Sequence, residues 1–278
     1  MAVIDQADFD RRMGEIGFYH SIDLGPGVAT KGWWDLRHAL TLIPFPDVRG
    51  KRCLDIGTWD GFYAFELERR GAAEVVALDL PDVSQVDYPP EVRADRSFNP
   101  SPPGQPSRNA GFHLVHEALD SAVIFRPGNV YDLDPADVGT FDVVTMGSLL
   151  LHLRDPVRAL DAVRAITSMD GFFLSIDFIH PNAQLRSRRT PLFELRGEGS
   201  DFQWWLANDA GCRQLLRVGG FDIDATSPFF LLRPGDPAEA HGESGMRGAT
   251  HQILKRALTK DRTKGGHLHR AYLSHRRF

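Results

Sequence analysis

Cysteine is scarce in this chain of 278 residues, since Cys53 and Cys212 are the only two. Two thiols are too few for a disulfide framework, and their spacing fits no metal-binding motif, so we expect no metal site. No apolar run reaches the length of about 18 residues that a membrane span needs. The opening MAVIDQADFD is acidic and lacks the apolar core of a signal peptide. These absences predict a cytoplasmic protein with no membrane contact.

Basic residues are also in short supply over most of the chain. The formal net charge is −5, and residues 241–278 carry nine Lys and Arg against Glu243 and Asp261. That local sum of +7 leaves −12 for residues 1–240. An acidic body argues against a nucleic-acid protein that relies on bulk charge. The basic C-terminal region keeps RNA open as a partner, with a solvated tail as the alternative.

Short apolar runs alternate with helical segments from residue 52 onward. The apolar runs predict strands at 52–56, 74–79, 122–126, 141–146, 171–178, 221–225 and 268–275. Helices are predicted at 60–70, 109–121 and 208–218, and another begins at Asp155-Pro156, where Asp caps and Pro takes the first helical position. Strands separated by helices predict a parallel sheet with helices on both faces.

Two regions depart from this alternation. Residues 21–34 hold glycines, a proline and two adjacent tryptophans, which predicts an ordered loop, and a short helix is expected at about 35–42. Residues 81–106 contain seven prolines, so we expect no regular structure there. The proline-rich segment follows the second strand, near the edge where α/β sheets bind ligands, which favours a lid. A second irregular insertion is expected at 233–266.

Residues 53–61, CLDIGTWDG, join the first strand to the first helix through a glycine turn. Gly57 and Gly61 lack side chains, so a ligand can approach the backbone closely. Asp79 ends the next strand, at the position of the acidic residue that binds ribose hydroxyls in nucleotide-binding βαβ units. The combination predicts a nucleotide site, and the structural alternative is a tight turn capped by Asp60.

Carboxylates around the turn favour one kind of nucleotide. The glycine spacing is not G-x-G-x-x-G, and Asp55 and Asp60 would repel a pyrophosphate. A ligand with a cationic head fits instead, and S-adenosylmethionine has an amino group, a sulfonium and a ribose. Asn129 follows the third strand, where it either bonds an adenine edge or forms an Asx turn. Gly147 ends the fourth strand and leaves room for a ligand beside the backbone.

Motifs spread along the chain resemble one known family. They are FYH at 18–20 with DLG at 23–25, TKGWWDLR at 30–37, LDIGTWDGFYAF at 54–65, MG at 146–147 with HLRDP at 152–156, residues 204–221, and HRAYL at 269–273. With them the chain resembles class I S-adenosylmethionine-dependent methyltransferases. More narrowly, it resembles the tRNA wobble-uridine (carboxy)methyltransferase family over most of its length from about residue 16, excluding the insertions.

The resemblance implies a Rossmann-like α/β fold with a seven-stranded, mostly parallel sheet, an antiparallel last strand and helices on both faces. It implies a cap or loop at 1–45 that contributes to the active site. A methyltransferase domain at 46–278 follows, with insertions at about 81–121 and 233–266. The cofactor would be S-adenosylmethionine, with S-adenosylhomocysteine as product. The cofactor contacts that the turn and the resemblance together predict are Trp33, Asp55, Gly57, Gly61, Asp79, Asn129, Val130 and Gly147.

Three positions bear on the cofactor's identity. The carboxymethyltransferases hold an extra cofactor carboxylate with a Lys, a Tyr and an Arg. Arg270 matches the Arg, but Leu151 replaces the Tyr and the Lys position falls near Ile16. A buried carboxylate that loses two polar partners costs several kcal/mol. We therefore expect transfer of a plain methyl group.

Transfer to a hydroxyl usually needs a general base. Four candidates lie in the N-terminal loop or near the carboxyl edge of the sheet, namely His20, His152, Asp177 and His180. We predict a methyltransferase that acts on a hydroxyl or amine of a small-molecule acceptor. The alternatives are a tRNA-modifying methyl or carboxymethyltransferase, a non-catalytic S-adenosylmethionine-binding protein and a nicotinamide oxidoreductase. The oligomeric state stays open.

Overall fold

The computed structural model describes residues 6–95, 108–197, 203–235 and 267–278. The helices in this part of the chain are α1 Gln6–Glu15, α2 Phe62–Arg69, α3 Pro90–Ala94, α4 Ala110–Leu119, α5 Pro135–Val138, α6 Pro156–Ile166, α7 Pro181–Arg186 and α8 Asp209–Val218. Short 3-10 turns lie at Arg37–Ala39, Val83–Gln85, Val130–Asp132 and Leu150–His152. No described helix is long and apolar enough to cross a membrane.

The strands of the described residues number fourteen. They are β1 Phe18–His20, β2 Asp23–Gly25, β3 Val28–Ala29, β4 Gly32–Asp35, β5 Arg52–Ile56, β6 Glu74–Asp79, β7 Ile124–Pro127, β8 Phe141–Gly147, β9 Thr167–Phe178, β10 Phe193–Leu195, β11 Trp205–Ala207, β12 Phe221–Thr226, β13 Phe230–Pro234 and β14 His267–Arg276. The seven strands that the apolar runs predict all form, with ends that differ by a few residues at most.

Seven strands form a doubly wound sheet in the order β7-β6-β5-β8-β9-β14-β12. The pairs among β7, β6, β5, β8 and β9 are parallel. β14 runs antiparallel to both of its neighbours, β9 and β12. The predicted α/β fold with an antiparallel last strand is therefore confirmed.

The sheet is larger than the seven strands we expected. β13 pairs with β14 beyond the end of β12, and it continues through β4 to β1, which gives ten strands in all in the described sheet. The prediction of a loop at 21–34 is thus wrong in part, because β4 joins the sheet and β2 and β3 form a small hairpin. The helix expected at 35–42 is reduced to the 3-10 turn Arg37–Ala39.

The proline-rich segment also contains regular structure where the sequence predicted none. Helix α3 begins at Pro90, and proline suits the first helical position because the N–H it lacks has no partner in the helix. Prolines at other positions of 81–95 leave only the 3-10 turn Val83–Gln85. The remainder of the segment, 96–106, and most of the insertion expected at 233–266 lie outside the described residues.

Alternate residues of the central strands face opposite layers of helices. Cys53 and Val143 pack in one apolar core with α2, α4 and the N-terminal elements. Leu54 and Val144 pack in a second core with α6 and α8. Because both faces are covered, the carboxyl edge of the sheet is where β5, β6 and β8 are open to a ligand.

Candidate functional site

A cavity of about 390 Å³ lies at the carboxyl ends of β5, β6 and β8. Six of the eight predicted cofactor residues line it, namely Trp33, Gly57, Asp79, Asn129, Val130 and Gly147. Two of the four predicted catalytic residues, His20 and His152, also line it. The structure therefore brings together residues from the N-terminal segment, the glycine turn and the ends of three strands.

The glycine turn is tied to the neighbouring strand by its backbone. The N–H groups of Gly57 and Thr58 donate to the carbonyl oxygen of Leu78 at 2.8 and 3.1 Å. Gly57 has φ 72°, a conformation that favours glycine. Gly61 does not line the cavity. A Cβ on Gly61 would lie 2.3 Å from the Phe65 ring, so its small size serves the packing of helix α2.

Asp55 and Thr145 lie side by side on the paired strands β5 and β8, behind the cavity wall. The Thr145 hydroxyl donates to Asp55 Oδ1 at 2.7 Å. Asp55 is 1% exposed, and this burial raises its pKa to about 7. Asp55 therefore lies next to the turn that the sequence predicted, although its side chain is not part of the cavity surface.

Asp60 neither faces the ligand nor caps helix α2, which are the two roles that the sequence suggested. Helix α2 is capped by Gly61, and Asp60 Oδ2 accepts hydrogen bonds from the backbone N–H groups of Tyr19 at 2.5 Å and His20 at 2.9 Å. Burial raises the pKa of Asp60 to about 7, and the two N–H donors act against that rise. Asp60 thus fastens strand β1 against the glycine turn.

Asp79 is at the end of β6 in the cavity wall, as predicted, and both of its carboxylate oxygens already accept hydrogen bonds within the chain. The N–H groups of Trp59 and Leu80 donate to its two oxygens at 2.7 Å each. Arg108 donates from Nε and Nη2 to Asp79 Oδ1 at 3.1 Å, and its guanidinium lies 4.4 Å from the centre of the Trp59 ring. A ribose diol that bonds to both oxygens of Asp79 must therefore displace Arg108 from Oδ1.

His20 presents a neutral imidazole to the cavity. Its ring stacks on Phe62 with centroids 5.2 Å apart, and burial lowers its pKa to about 3. Nδ1 has no hydrogen-bond partner among the described residues and lies 3.9 Å from Asp60 Oδ2. His152 ends the 3-10 turn after β8 and lies in the same wall.

Asp177 and His180 lie away from this cavity. Asp177 accepts a hydrogen bond from Ser175, and burial raises its pKa to about 7. It lines a separate void of about 20 Å³. His180 precedes helix α7, and its Nδ1 lies 3.6 Å from Glu194 Oε2. Neither residue lines the 390 Å³ cavity.

Arg270, which matches the carboxylate-binding arginine of the carboxymethyltransferases, is bound elsewhere. Its Nη1 donates to Asp209 Oδ1 at 3.0 Å and its Nε to the Ser227 carbonyl oxygen at 2.9 Å. Leu151, at the Tyr position, is buried. Neither side chain lines the cavity, so these two positions of the carboxylate-binding trio are not part of its wall.

Several wall residues were missed by the sequence analysis. Most are aromatic or polar, namely Tyr19, Trp59, Tyr63, Asp87, Tyr88, Arg108, Tyr131 and Ser148. Tyr131 donates its hydroxyl proton to Asp87 Oδ2 at 2.7 Å, which fixes part of the proline-rich segment at the cavity. Tyr19, Trp59 and Tyr63 lie within the motifs FYH and LDIGTWDGFYAF but were not predicted as site residues. For Asp87 and Tyr88 the sequence signal was the prediction of a lid in the proline-rich segment.

The donor set fits S-adenosylmethionine in part. Asp79 and Asn129 offer polar groups at the end of two strands, and Val130 and Leu80 offer apolar surface for a nucleoside. Asn129 Oδ1 accepts the Tyr131 N–H at 3.1 Å, which is the Asx-type turn, and its amide nitrogen is not used in that turn. The wall therefore fits the group, provided that Arg108 moves from Asp79.

The doubly wound sheet with its antiparallel strand and a cavity at the glycine turn define a class I methyltransferase fold. The chain belongs to the methyltransferase domain family, whose model matches residues 34–218. The predicted family and enzyme class, and the cofactor that goes with them, agree with this assignment. In the described residues no group of three or more His, Cys, Asp or Glu is arranged to hold a metal ion.

Individual relatives cover part of the chain. The ubiquinone biosynthesis O-methyltransferase of Neisseria meningitidis is 30% identical over 135 residues, 47% of this chain and 46% of that protein. The tRNA U34 carboxymethyltransferase of Campylobacter hominis is 29% identical over 149 residues, 53% of this chain and 43% of that protein. The chain thus spans under half the length of these curated relatives.

A solved structure matches over nearly the whole chain. The N-terminal domain of EvdMO1, solved with SAH bound, has a TM-score of 0.55 and 12% sequence identity. The match covers 99% of this chain and 98% of that chain. At this level of identity the likeness shows a shared fold.

Proposed function

We propose that this chain is an S-adenosylmethionine-dependent methyltransferase that moves a methyl group to a hydroxyl or amine of a small, largely apolar acceptor. The observation that carries the proposal is the 390 Å³ cavity, in which the glycine turn and Asp79 meet an aromatic wall. When bound, the cofactor supplies an electrophilic methyl group on a sulfonium. Gly57, Asp79, Asn129 and Val130 would hold its nucleoside, and Gly147 leaves space beside them.

The acceptor end of the cavity is apolar. Tyr19, Trp33 and Leu36 come from the N-terminal elements, and Leu232 comes from β13. These side chains exclude water and favour a planar, apolar acceptor, and alignment in such a site lowers a barrier by roughly 7–11 kcal/mol. They support a small-molecule acceptor.

Charge in the wall also supports a small molecule over tRNA. Arg108 is the one guanidinium among the described lining residues, and Asp79 already neutralises it. A phosphate-rich acceptor requires several such cations. A cytoplasmic location forms part of the proposal, because Cys53 and Cys212 are buried free thiols, as is usual in a reducing compartment.

His20 is the group best placed to accept the acceptor's proton. It is neutral in the wall, and Asp60 Oδ2 lies 3.9 Å from Nδ1, so ionisation of Asp60 would stabilise the protonated ring and oppose the lowering of the His20 pKa by burial. A positioned base of this kind contributes roughly 10²–10⁴-fold in rate. His152 is the second candidate in the same wall.

Titration calorimetry with S-adenosylhomocysteine, carboxy-S-adenosylmethionine and NAD tests the cofactor. We expect binding of S-adenosylhomocysteine, and weaker or no binding of the other two. Stronger binding of the carboxylated compound would point to tRNA, and methylation of bulk tRNA would then be measured with labelled cofactor. Binding of NAD alone would contradict the proposal.

The base is tested on the best acceptor from a panel of phenols, catechols and aryl amines. His20→Gln should lower kcat by roughly 10²-fold or more while the affinity for S-adenosylhomocysteine changes little. His116→Gln is the control, because His116 bonds to the Val123 carbonyl oxygen outside the cavity. A kcat unchanged in His20→Gln would exclude this residue as the base.

A further inference from the structure

Ser148 forms a hydrogen-bonded pair with a histidine that is distant in sequence. It follows Gly147 at the end of β8 and lines the cavity. Its Oγ lies 2.9 Å from Nε2 of His269, on β14. The backbone of Ser148 has φ 49°, a left-handed conformation that is uncommon for a residue with a side chain, and its N–H donates to the Ile176 carbonyl oxygen at 2.7 Å. The chain therefore holds this hydroxyl in a strained and well-defined place.

The position of the proton on His269 follows from its second contact. Nδ1 lies 2.9 Å from the carbonyl oxygen of His267, and a carbonyl oxygen only accepts, so Nδ1 carries the proton. His269 is 1% exposed between the rings of Phe178 and Phe230, and burial lowers its pKa to about 3. The imidazole is neutral at neutral pH, which leaves Nε2 unprotonated and able only to accept.

A serine hydroxyl has one proton to donate, and in this pair the proton is directed to His269 Nε2. The cavity side of Ser148 Oγ then presents lone pairs alone. A ligand group with an N–H or O–H is bound there, whereas a carbonyl, ether or anionic oxygen meets another acceptor and is disfavoured.

We propose that Ser148, oriented by His269, is an acceptor-only hydroxyl that selects a hydrogen-bond donor on the ligand in this cavity. The donor is either the ammonium of the cofactor's amino-acid part or the reacting hydroxyl or amine of the methyl acceptor. The inference rests on the proposed function, because both ligands belong to it. Ser148 would contact the ligand, and His269 is a positioning residue that acts through Ser148.

Nitrogen-15 NMR of histidine-labelled protein without ligand tests the proton position directly. We expect the His269 signals of a neutral ring protonated at Nδ1, assigned by their loss in His269→Leu. A ring protonated at Nε2, or at both nitrogens at pH 7, would overturn the proposal. This result does not depend on whether the protein binds any cofactor.

Calorimetry with three probes tests ligand recognition. S-adenosylhomocysteine carries the ammonium, sinefungin adds an amine where the transferred methyl stands, and methylthioadenosine carries neither. Ser148→Ala removes the hydroxyl oxygen that accepts the hydrogen bond. Ser148→Gly also removes it and relieves the strain of the positive φ. Either variant can be used if the other folds poorly. Ser274→Ala is the matched control, since Ser274 is fully buried on the same strand as His269, and its hydroxyl has no partner among the described residues.

Loss of a hydrogen bond to a charged donor should weaken binding by about tenfold or more. If the Ser148 variants bind both S-adenosylhomocysteine and sinefungin more weakly, while the affinity for methylthioadenosine is unchanged, Ser148 is assigned to the cofactor's ammonium. If the affinity for sinefungin alone decreases, Ser148 is assigned to the reacting group of the acceptor. Unchanged affinity for all three probes in both Ser148 variants would overturn the proposal. Failure of the wild-type protein to bind any probe would contradict the proposed function instead, and the NMR result would still decide the hydroxyl's orientation.

Discussion

Arg108 occupies the carboxylate that the proposed cofactor needs. Both of its donating nitrogens contact Asp79 Oδ1, and the ion pair is shielded, with Arg108 13% and Asp79 2% exposed at the side chain. Arg108→Ala removes this competitor. We expect the affinity for S-adenosylhomocysteine to rise by about tenfold, because a charged hydrogen bond of about 1.5 kcal/mol no longer has to be broken.

Calorimetry on Arg108→Ala and a control variant measures this effect. Arg126→Ala is matched, because Arg126 pairs with Asp137 at 2.6 Å on the surface and does not line the cavity. The control should bind with wild-type affinity. If Arg108→Ala binds more weakly than wild type, Arg108 contacts the ligand rather than competing with it.

Asp177 makes stability depend on pH. Burial raises its pKa to about 7 from the ordinary value of 3.8, so the folded protein favours the protonated carboxyl. The stabilisation is complete below pH 3.8 and is lost as the pH rises through 7. Asp177→Asn removes this loss, and its stability relative to wild type should increase by more than about 1 kcal/mol between pH 4 and pH 8.

Urea unfolding at the two pH values gives the comparison. Asp161→Asn serves as control, because Asp161 is exposed on α6 and its ion pair within the described part of the chain is with Arg164, three residues along. Its stability relative to wild type should be the same at both pH values. A stability difference for Asp177→Asn that is also the same at both pH values would show that folding does not raise the pKa of this carboxyl.

Among the elements, helix α8 depends on a single fully buried cap. Asn208 Oδ1 accepts the N–H of Gly211 at 2.8 Å and of Leu192 at 3.0 Å, and its amide donates to the carbonyl oxygens of Ser187 and Thr190. Asn208→Ala removes all four hydrogen bonds, of which the one to the Gly211 N–H is fully buried and the other three are partly buried. We expect a loss of unfolding free energy of about 2 kcal/mol or more.

An exposed cap provides the comparison for this prediction. Asp134 caps α5 by accepting the Ala136 N–H at 2.8 Å at the surface. Asp134→Ala should cost about 0.5–1 kcal/mol. Chemical denaturation of both variants measures the two losses, and equal losses would mean that the wider network of Asn208 adds nothing to the cap.

Element prediction succeeded where the sequence pattern is local. The central strands are runs of apolar residues such as EVVALD, and α6 begins at an Asp-Pro pair, so each can be recognised within its own segment. β1, β4 and β13 have three to five residues each, and they are strands because of partners far along the chain. No periodicity develops over so few residues, which is why these three strands were not predicted and most of β4 was assigned to a loop.

The candidate site also contains both residues that local sequence predicts and residues that depend on distant partners. Gly57 and Asp79 lie next to each other in a known βα arrangement and were predicted from spacing alone. Arg108 is 29 residues from Asp79 along the chain, and the partner of Ser148 is 121 residues away. Such contacts arise from the packing of the folded chain, and no spacing rule describes them.

At the scale of the molecule, the N-terminal segment closes the cavity. β1 and β4 carry Tyr19, His20 and Trp33 into the wall, and the Ser21 N–H donates to the Trp34 carbonyl oxygen at 2.8 Å. Bound S-adenosylhomocysteine should slow amide hydrogen exchange in these strands, because opening them would release the ligand. At a ligand concentration of 100 times Kd, binding stabilises the closed state by about 2.7 kcal/mol.

Exchange measured by mass spectrometry, with and without ligand, checks this expectation. Peptides from α1 serve as the internal reference, since α1 does not line the cavity. Slower exchange in β6 with no change in β1 and β4 would show that the N-terminal segment opens independently of the ligand.

The position of β14 has a consequence for synthesis on the ribosome. β14 lies inside the sheet, with seven residue pairs to β9 on one side and β12 and β13 on the other, yet it is translated after every other described strand. Until it emerges, the nascent chain carries three strands whose backbone edges have no partner, and such edges attract other chains. A ribosome that stalls before residue 267 would therefore release a product with a nearly complete but open sheet, which is a target for chaperones and proteases.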